Sequence, residues 1–335
     1  MLINRKISIA PMVEITDEHF RYIIRLLSKK ITLYTPMISA KSIIMGELNT
    51  IVKQNPNDSP IAIQIATNCE NDAAKAIEIL EKNFNFDEYN LNVGCPSSRI
   101  QKANYGACLM QNPIQVGKIL KAMQKNTNKP ISIKHRIGIR HNKKEYQEET
   151  YTELKQFVDK IIEYGIKNFI VHARIAILNG YSPKDNHNIP KLKYDFVYQL
   201  KKEYKNTFIE INGGIINSNH IETHLSYVDS VMIGRAAAQN PYFVAKISRE
   251  FLGEKEQIPT RKEILFQMVE YIKEYNEHPT INTILRHIMR VIYSQKNARK
   301  FRQALTAPFN QNLKNHEILL NAIEHLKEDT LSSNS

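Results

Sequence analysis

The chain has 335 residues, enough for one barrel-sized domain with a smaller one attached, and 42% of them are apolar, enough for a real core. Its 46 Lys and Arg against 34 Asp and Glu leave a formal charge of +12, which suggests a polyanionic partner, although Lys, Asn and Ile are abundant throughout and a compositional bias would raise Lys unaided. Cys69, Cys95 and Cys108 show no Cys-x-x-Cys spacing, which argues against zinc and a disulfide framework, and no apolar run reaches the roughly 18 residues of a membrane span. The opening MLINRKISIAPM has no apolar signal region, so a reducing cytoplasm is expected, with no membrane and no metal.

In chain order, short strand-like runs alternate with helical stretches. ISIAPM (7–12) precedes a helix over 17–29 with Thr16 as its N-cap, and ITLYTPM (31–37) precedes a short segment from Ala40. IAIQIA (61–66) leads into a helix over 71–82, YNLNVG (89–94) into a loop and a helix over 113–125. ISIKHRI (131–137) leads into a long helix over 147–164, with Gly165 as its C-cap. NFIVHA (168–173), FIEINGG (208–214) and SVMIGR (230–235) follow, with helices near 192–203, 217–226 and 236–248. Eight strands each followed by helix in about 245 residues predict an α/β fold of the (β/α)₈ barrel (TIM barrel) type. A doubly wound sheet fits less well, because neither GxGxxG nor a Walker motif follows any strand.

Strand parity places chemistry. Ile61, Ile63 and Ile65 share a face that leaves Gln64 on the other, between Ala62 and Ala66. Ile131, Ile133, His135 and Ile137 oppose Ser132, Lys134 and Arg136; Phe169, Val171 and Ala173 oppose Ile170 and His172; Asn212 opposes Ile209 and Ile211. With the aliphatic faces against the helices, Gln64, Asn92, Lys134, His172 and Asn212 point into the barrel near its C-terminal mouth. One such residue is ordinary, but five need a shared polar object, since each unpaired buried polar group costs about 1–3 kcal/mol. Asn212-Gly213-Gly214 and Gly234-Arg235 end two strands; glycines let backbone N–H groups approach a phosphate, and Arg235 can neutralise it. A large phosphorylated cofactor across the mouth is expected.

YNLNVGCPSSR (89–99) sits at the centre of this pattern. Tyr89, Leu91 and Val93 alternate with Asn90, Asn92 and Gly94 until Pro96 ends the strand, leaving the Cys95 thiol on a loop just past a strand end. A buried, inert cysteine is the bland reading of that stretch by itself. Beyond Phe251 the character changes: GEKEQIPTR reads as a linker, and 263–274, 282–293, 298–305 and 317–328 read as helices with no strand among them. The expected organisation is therefore a barrel domain over 1–250 and a small all-α helical domain over 251–335, with LSSNS as a disordered tail. Arg286, His287, Arg290, Lys296, Arg299, Lys300 and Arg302 cluster there with almost no intervening acid, and Arg299 and Arg302 share a helical face. The cluster reads either as a solvated face or as a nucleic-acid contact.

The segments APMVEIT (10–16), IAIQIA (61–66), NLNVGCPS (90–97), YGACLM (105–110), IKHRIGI (133–139), VHAR (171–174), YSPKDNHNIPKLKY (181–194), EINGGI (210–215), VMIGRAAAQNP (231–241) and ARKFRQAL (298–305) occur in the order of a known family. In them the chain resembles the tRNA-dihydrouridine synthases, specifically the DusA subfamily, which acts on tRNA positions 20 and 20a. The resemblance implies an FMN-dependent barrel and a helical domain that together clamp the D-loop side of tRNA, working as a monomer. It places FMN against Pro11, Met12, Val13, Gln64, Lys134, His172, Asn212, Gly213, Gly214, Gly234 and Arg235. It makes Cys95 the general acid and assigns tRNA contacts to Asn92, Lys184, His187, Arg299 and Arg302. His187 stands where several relatives carry Arg, and Asn104 where a basic residue is common.

The chemistry so implied has two halves: NADPH reduces FMN, with Lys134 stabilising the anionic reduced flavin, and a uridine leaves its stack so that its C5–C6 double bond is reduced to dihydrouridine. Hydride goes to C6 and Cys95 protonates C5; a thiol with a reference pKa of about 8.5 carries its proton near neutral pH. Two rivals share parts of the pattern. A flavin barrel acting on a small molecule, such as a dihydroorotate dehydrogenase or an ene-reductase, would explain the mouth but not the basic helical appendage. An RNA-binding module with a catalytically dead barrel would explain the charge but not Cys95, Lys134 and His172 together.

Overall fold

A computed structural model describes residues 1–142, 150–275, 282–306 and 313–334. Among the described residues, eight parallel strands carry the architecture: β1 (Ile7–Ile9), β2 (Leu33–Tyr34), β3 (Ile61–Ala66), β4 (Glu88–Val93), β5 (Ile131–Arg136), β6 (Asn168–His172), β7 (Phe208–Asn212) and β8 (Ser230–Ile233). Each pairs with its sequence neighbour from β2 through to β8, and β8 pairs with β1 at Ile7↔Val231, Ser8↔Met232 and Ile9↔Ile233. A bridge between Ser8 and Thr32, with the Ile9 N–H donating to Thr32 O at 2.9 Å, joins β1 to the start of β2 and closes the ring. This is the expected (β/α)₈ barrel.

The strand faces divide as alternation requires. Ile61, Ile63, Ile65, Leu91, Ile133, Phe169, Val171, Ile209 and Ile211 are all fully buried, and His135, on the helix-facing side of β5, lies against Phe157 of the helix Tyr151–Ile162 at 5.1 Å between ring centroids. The inner face carries Ala62, Ile170 and Met232, which pack with Ala10 and Tyr34. Below them the interior is ionic. The Arg5 guanidinium donates to Glu88, to Glu210 and, at 2.7 Å, to the Tyr34 hydroxyl; Ser8 and Ser230 donate to Glu210 at 2.7 and 2.8 Å. Register explains why these meet, since Ala62 stands opposite Glu88, and Glu210 lies between Ile170 and Ser230.

By contact the chain forms two compact units, residues 1–14 with 32–234, and residues 15–31 with 235–335. The line therefore falls at Gly234, before the helices Arg235–Gln239 and Pro241–Leu252 rather than after them, and the early helix Glu18–Leu27 belongs with the second unit. Composition could not show this, because helix 18–27 follows a barrel strand like any other. Asp17, not Thr16, caps that helix, accepting from the Phe20 N–H at 3.0 Å. Of the long helix expected over 147–164, residues 151–162 form, Glu163 is the C-cap and Gly165 makes the left-handed turn beyond it; 147–149 lie outside the described residues.

The second unit is all helix around one core, in which Ile23 and Leu27 meet Ile264, Leu265, Met268, Leu285, Ile288, Phe301 and Leu319. Its tail is ordered through Asn334 against expectation: Arg261 binds Ser333 through its backbone N–H (to O, 3.0 Å) and its guanidinium (to Oγ, 2.7 Å), while stacking on Tyr242 at 4.1 Å. No helix of the described residues is long and apolar enough to cross a membrane.

Asp17 ties this unit together. It accepts from Arg286 and faces His287 Nε2 at 3.0 Å as well as capping its own helix. Burial would raise its pKa, but the hydrogen bond and charge of the His287 ring, the Phe20 N–H and Arg286 bring it down to about 2. A carboxylate depressed in the folded state contributes stability that is whole above its unfolded value, 3.8, and lost as pH falls toward 2. Asp17→Ala should cost about 2 kcal/mol at neutral pH in a urea titration, and the gap from wild type should close between pH 4 and 2.

Candidate active site at the barrel mouth

The Cys95 loop is held on four sides. The Cys95 and Gly94 N–H groups donate to Asn92 Oδ1 at 3.1 and 3.3 Å, and Cys95 O accepts from the Ala107 N–H at 2.9 Å. Arg136 Nε donates to Gly94 O at 3.2 Å, and Gln101 Nε2 donates to Pro96 O at 2.8 Å. Gly106 closes over the loop with φ +73°; a Cβ there would lie 2.5 Å from Cys95 O and 3.3 Å from Cys95 Cβ, so only glycine fits. The thiol is thus fixed just past the end of β4, where alternation placed it.

Gln64, Asn92, Lys134, His172 and Asn212 converge beside it. Asn92 Nδ2 donates to Gln64 Oε1 at 2.8 Å, and Lys134 Nζ donates to Asn212 Oδ1 at 3.2 Å, while Asn212 Nδ2 donates to Met232 O. His172 borders Gly213, whose φ of +118° turns the chain so that a Cβ would stand 2.8 Å from His172 Cδ2. At Gly234 an added Cβ would meet nothing closer than Ala10 and Met12, at 3.8 and 3.9 Å. Met12 follows Pro11 and precedes the exposed Val13 on the strand-end segment after β1. Arg235 begins the helix that opens the second unit.

Electrostatically the mouth is a cation-rich hollow. Burial, with Arg136, Lys134, His187 and Arg174 around it, pushes His172 well below the ordinary imidazole range, so the ring is neutral at physiological pH. Burial and Arg136 lower Lys134 to about 8 against the pull of Glu210 and Cys95. The Cys95 thiol moves the other way: burial raises it, with only partial relief from the Ser97 N–H, Arg136 and Lys134. It keeps its proton near neutrality.

Lys184 and His187 lie on a short helix, Pro183–Asn188, capped by Ser182 and Asp185. His187 stacks on His172, with centroids 5.5 Å apart and planes at 18°; Lys184 is exposed. Arg299 and Arg302 are both exposed in the second unit and line a groove of about 630 Å³ with Tyr293, Gln295, Asn297 and Lys300. Lys296 is exposed as well, while Arg286 and His287 bind Asp17 and Arg290 donates to Ala238 O at 3.0 Å. Asn104 takes φ +54°, a left-handed turn that asparagine adopts more readily than a basic side chain. Three participants escaped sequence reasoning. Arg136 shares the inward parity of Lys134 and could have been found that way; Gly106 and Arg5 carry no local signal.

A family model described as dihydrouridine synthase matches residues 8–328. The chain belongs to that family. Among curated relatives, a tRNA-dihydrouridine(20/20a) synthase of Synechocystis is 42% identical, the match covering 90% of this chain and 88% of the relative. Enzymes of the same name from Pseudomonas putida and Shewanella oneidensis are 37% and 35% identical; the matches cover 97% and 98% of this chain, and 95% and 96% of those relatives. Membership in the family makes the chain an oxidoreductase.

Lys134 supplies a test that needs no substrate. Its folded pKa of about 8 lies below the ordinary 10.5, so between these values the unfolded chain holds the proton more tightly and stability rises with pH. Below about 8 the full cost of burying the ammonium remains. Lys134→Met should therefore melt higher than wild type at pH 7 in the ligand-free protein, with the difference shrinking toward pH 10. Equal melting temperatures at pH 7 would mean that the ammonium is solvated.

Proposed function

We propose that this chain reduces the C5–C6 double bond of uridine in tRNA to dihydrouridine, at positions 20 and 20a as its relatives' names indicate, with FMN as cofactor and NADPH as reductant. The observation that carries the mechanism is a protonated, four-sided Cys95 loop beside a cation-rich, glycine-edged mouth. The residues present fit a flavin nucleotide. Gly213 and Gly214, both at positive φ, would let a phosphate approach the backbone, and Gln64, Lys134, His172 and Asn212 would offer polar groups to a heteroaromatic ring. When bound, such a cofactor supplies the hydride that adds to C6.

The chain's own residues supply the rest. Lys134 stabilises negative charge near it, since an anion would restore the proton affinity that burial removes. Cys95 delivers a proton to C5, so hydride and proton together saturate the bond. Pro11, Met12, Val13, Gly234 and Arg235 complete the cofactor set. Asn92, Lys184 and His187 form the RNA set of the first unit, and Arg299 and Arg302 that of the second.

Cys95→Ala should leave flavin binding and its reduction by NADPH nearly intact and slow reoxidation by tRNA about 10²–10⁴-fold in single-turnover kinetics. Cys108, whose thiol donates to Tyr105 O at 3.0 Å, is the control: Cys108→Ala should lose some stability and little rate. Wild-type reoxidation in Cys95→Ala would transfer the acid role elsewhere. For the RNA side, replacing Arg299 and Arg302 together by Ala should weaken tRNA binding and flatten log K against log[salt] by roughly 2 at most, with flavin content unchanged. An unaltered slope would remove this groove from the RNA path.

A further inference from the structure

On the β3–β5 side of the barrel, the hydrogen bonds from Asn92 through Gln64, Asn90 and Ser132 to Glu88 run as a chain in one direction. At its upper end only donors are available, the N–H groups of Gly94 and Cys95, both aimed at Asn92 Oδ1. Asn92 accordingly presents Nδ2 to Gln64 Oε1 (2.8 Å), Gln64 presents Nε2 to Asn90 Oδ1 (2.7 Å), and Asn90 presents Nδ2 to Ser132 Oγ (2.6 Å). Ser132 gives its hydroxyl proton to Glu88. At the lower end only an acceptor is available, because Glu88 is a carboxylate that also takes bonds from Arg5 and Tyr34. With both ends fixed, no amide between them can flip without setting donor against donor or acceptor against acceptor.

Asn90 and Ser132 are 0% exposed, so neither touches a ligand. Packing does not require an amide at Asn90 either, for the barrel fills its interior elsewhere with Ala62, Ile170 and Met232. We propose that Asn90, with Ser132 and Glu88 beneath it, is a positioning residue for the reduction: it holds the Gln64 and Asn92 amides in one orientation and, through Asn92, the backbone that presents the Cys95 thiol. This inference rests on Cys95 as the proton donor. Its site is the hidden layer under the mouth, one hydrogen bond removed from any group that meets cofactor or base.

The test uses two variants of nearly constant size. Asn90→Leu removes both bonds; Asn90→Asp keeps the acceptor and changes only the donor. The neutral introduced carboxyl can accept from Gln64 and donate to Ser132, whereas the ionised one can only accept, so Asn90→Asp should resemble wild type at low pH and at high pH lose the Ser132 bond while keeping the one from Gln64. In FMN-loaded protein, single-turnover reoxidation by tRNA should slow in Asn90→Leu by up to about 10²-fold, the scale of a small misplacement, with KM for tRNA nearly unchanged. In flavin-free protein, the pH profile of Cys95 alkylation by iodoacetamide, read by peptide mapping, should shift in the same variant.

Wild-type reoxidation in folded Asn90→Leu overturns the proposal, whether or not the alkylation profile moves. A slowed reoxidation without any change at the thiol overturns it too, since the loop would then not be the link. If Asn90→Leu fails to fold, Ser132→Ala removes one hydroxyl from the same chain and is judged by the same two readouts. If Cys95→Ala itself reoxidises at the wild-type rate, the acid assignment fails, and the alkylation profile alone decides whether Asn90 orders the loop.

Discussion

Arg5 sits at the barrel floor with its side chain enclosed, donating to Glu88, Glu210 and Tyr34. Burial works against its charge, yet the two carboxylates hold its pKa well above the ordinary value. Such a cluster is poor evidence of net stability, because burying three charges costs several kcal/mol apiece and Coulomb attraction does little more than offset it. What it supplies is direction. Each carboxylate can only accept, so Glu88 collects Tyr34 and Ser132 while Glu210 collects Ser8 and Ser230, and six strands or strand leads are tied into one register. A slip of one residue would turn either Glu toward the helices, where nothing could satisfy it.

From that floor the interior is polar almost to the mouth on the β3–β5 side and apolar on the side of Ile170 and Met232. The asymmetry suits a site that must hold a loop rigid while leaving room across from it. The same burial also has opposite effects on neighbouring groups. It keeps the proton on the Cys95 thiol, weakens Lys134's hold on its own, and leaves His172 neutral. One buried, cation-rich mouth therefore holds a protonated thiol beside an ammonium whose proton affinity a nearby anion would raise. Here the local rule of preorganisation is visible as cost, since Lys134 and Arg136 repel one another without a carboxylate between them.

In the second unit, charge is sorted by depth. Asp17 draws Arg286 and His287 inward, and Arg290 satisfies the carbonyl of Ala238, so these cations serve the fold. Lys296, Arg299, Lys300 and Arg302 are exposed. The Ser294 and Asn297 turns, both at positive φ, bring the chain round before helix Ala298–Leu305 and shape the groove beside it.

The barrel and the inward set of Gln64, Asn92, Lys134, His172 and Asn212 were legible in the sequence because alternation is a local property: two adjacent side chains on a strand must face opposite ways whatever the rest of the chain does. The Cys95 loop was legible for a similar reason, a strand ended by Gly94 and Pro96. What pairs with what was not. Arg5 precedes the first strand in a basic run and looks like a solvated charge; only the register that sets Glu88 and Glu210 around it makes it a core residue. Gly106 looks like any loop glycine until Cys95 O comes within reach of its missing Cβ. The division at Gly234 and the ordered tail at Ser333 likewise depend on partners far along the chain. Periodicity fixes the face on which a side chain lies, whereas its partner is chosen by closure of the barrel and packing of the helices, and those contacts exist only once distant segments have met.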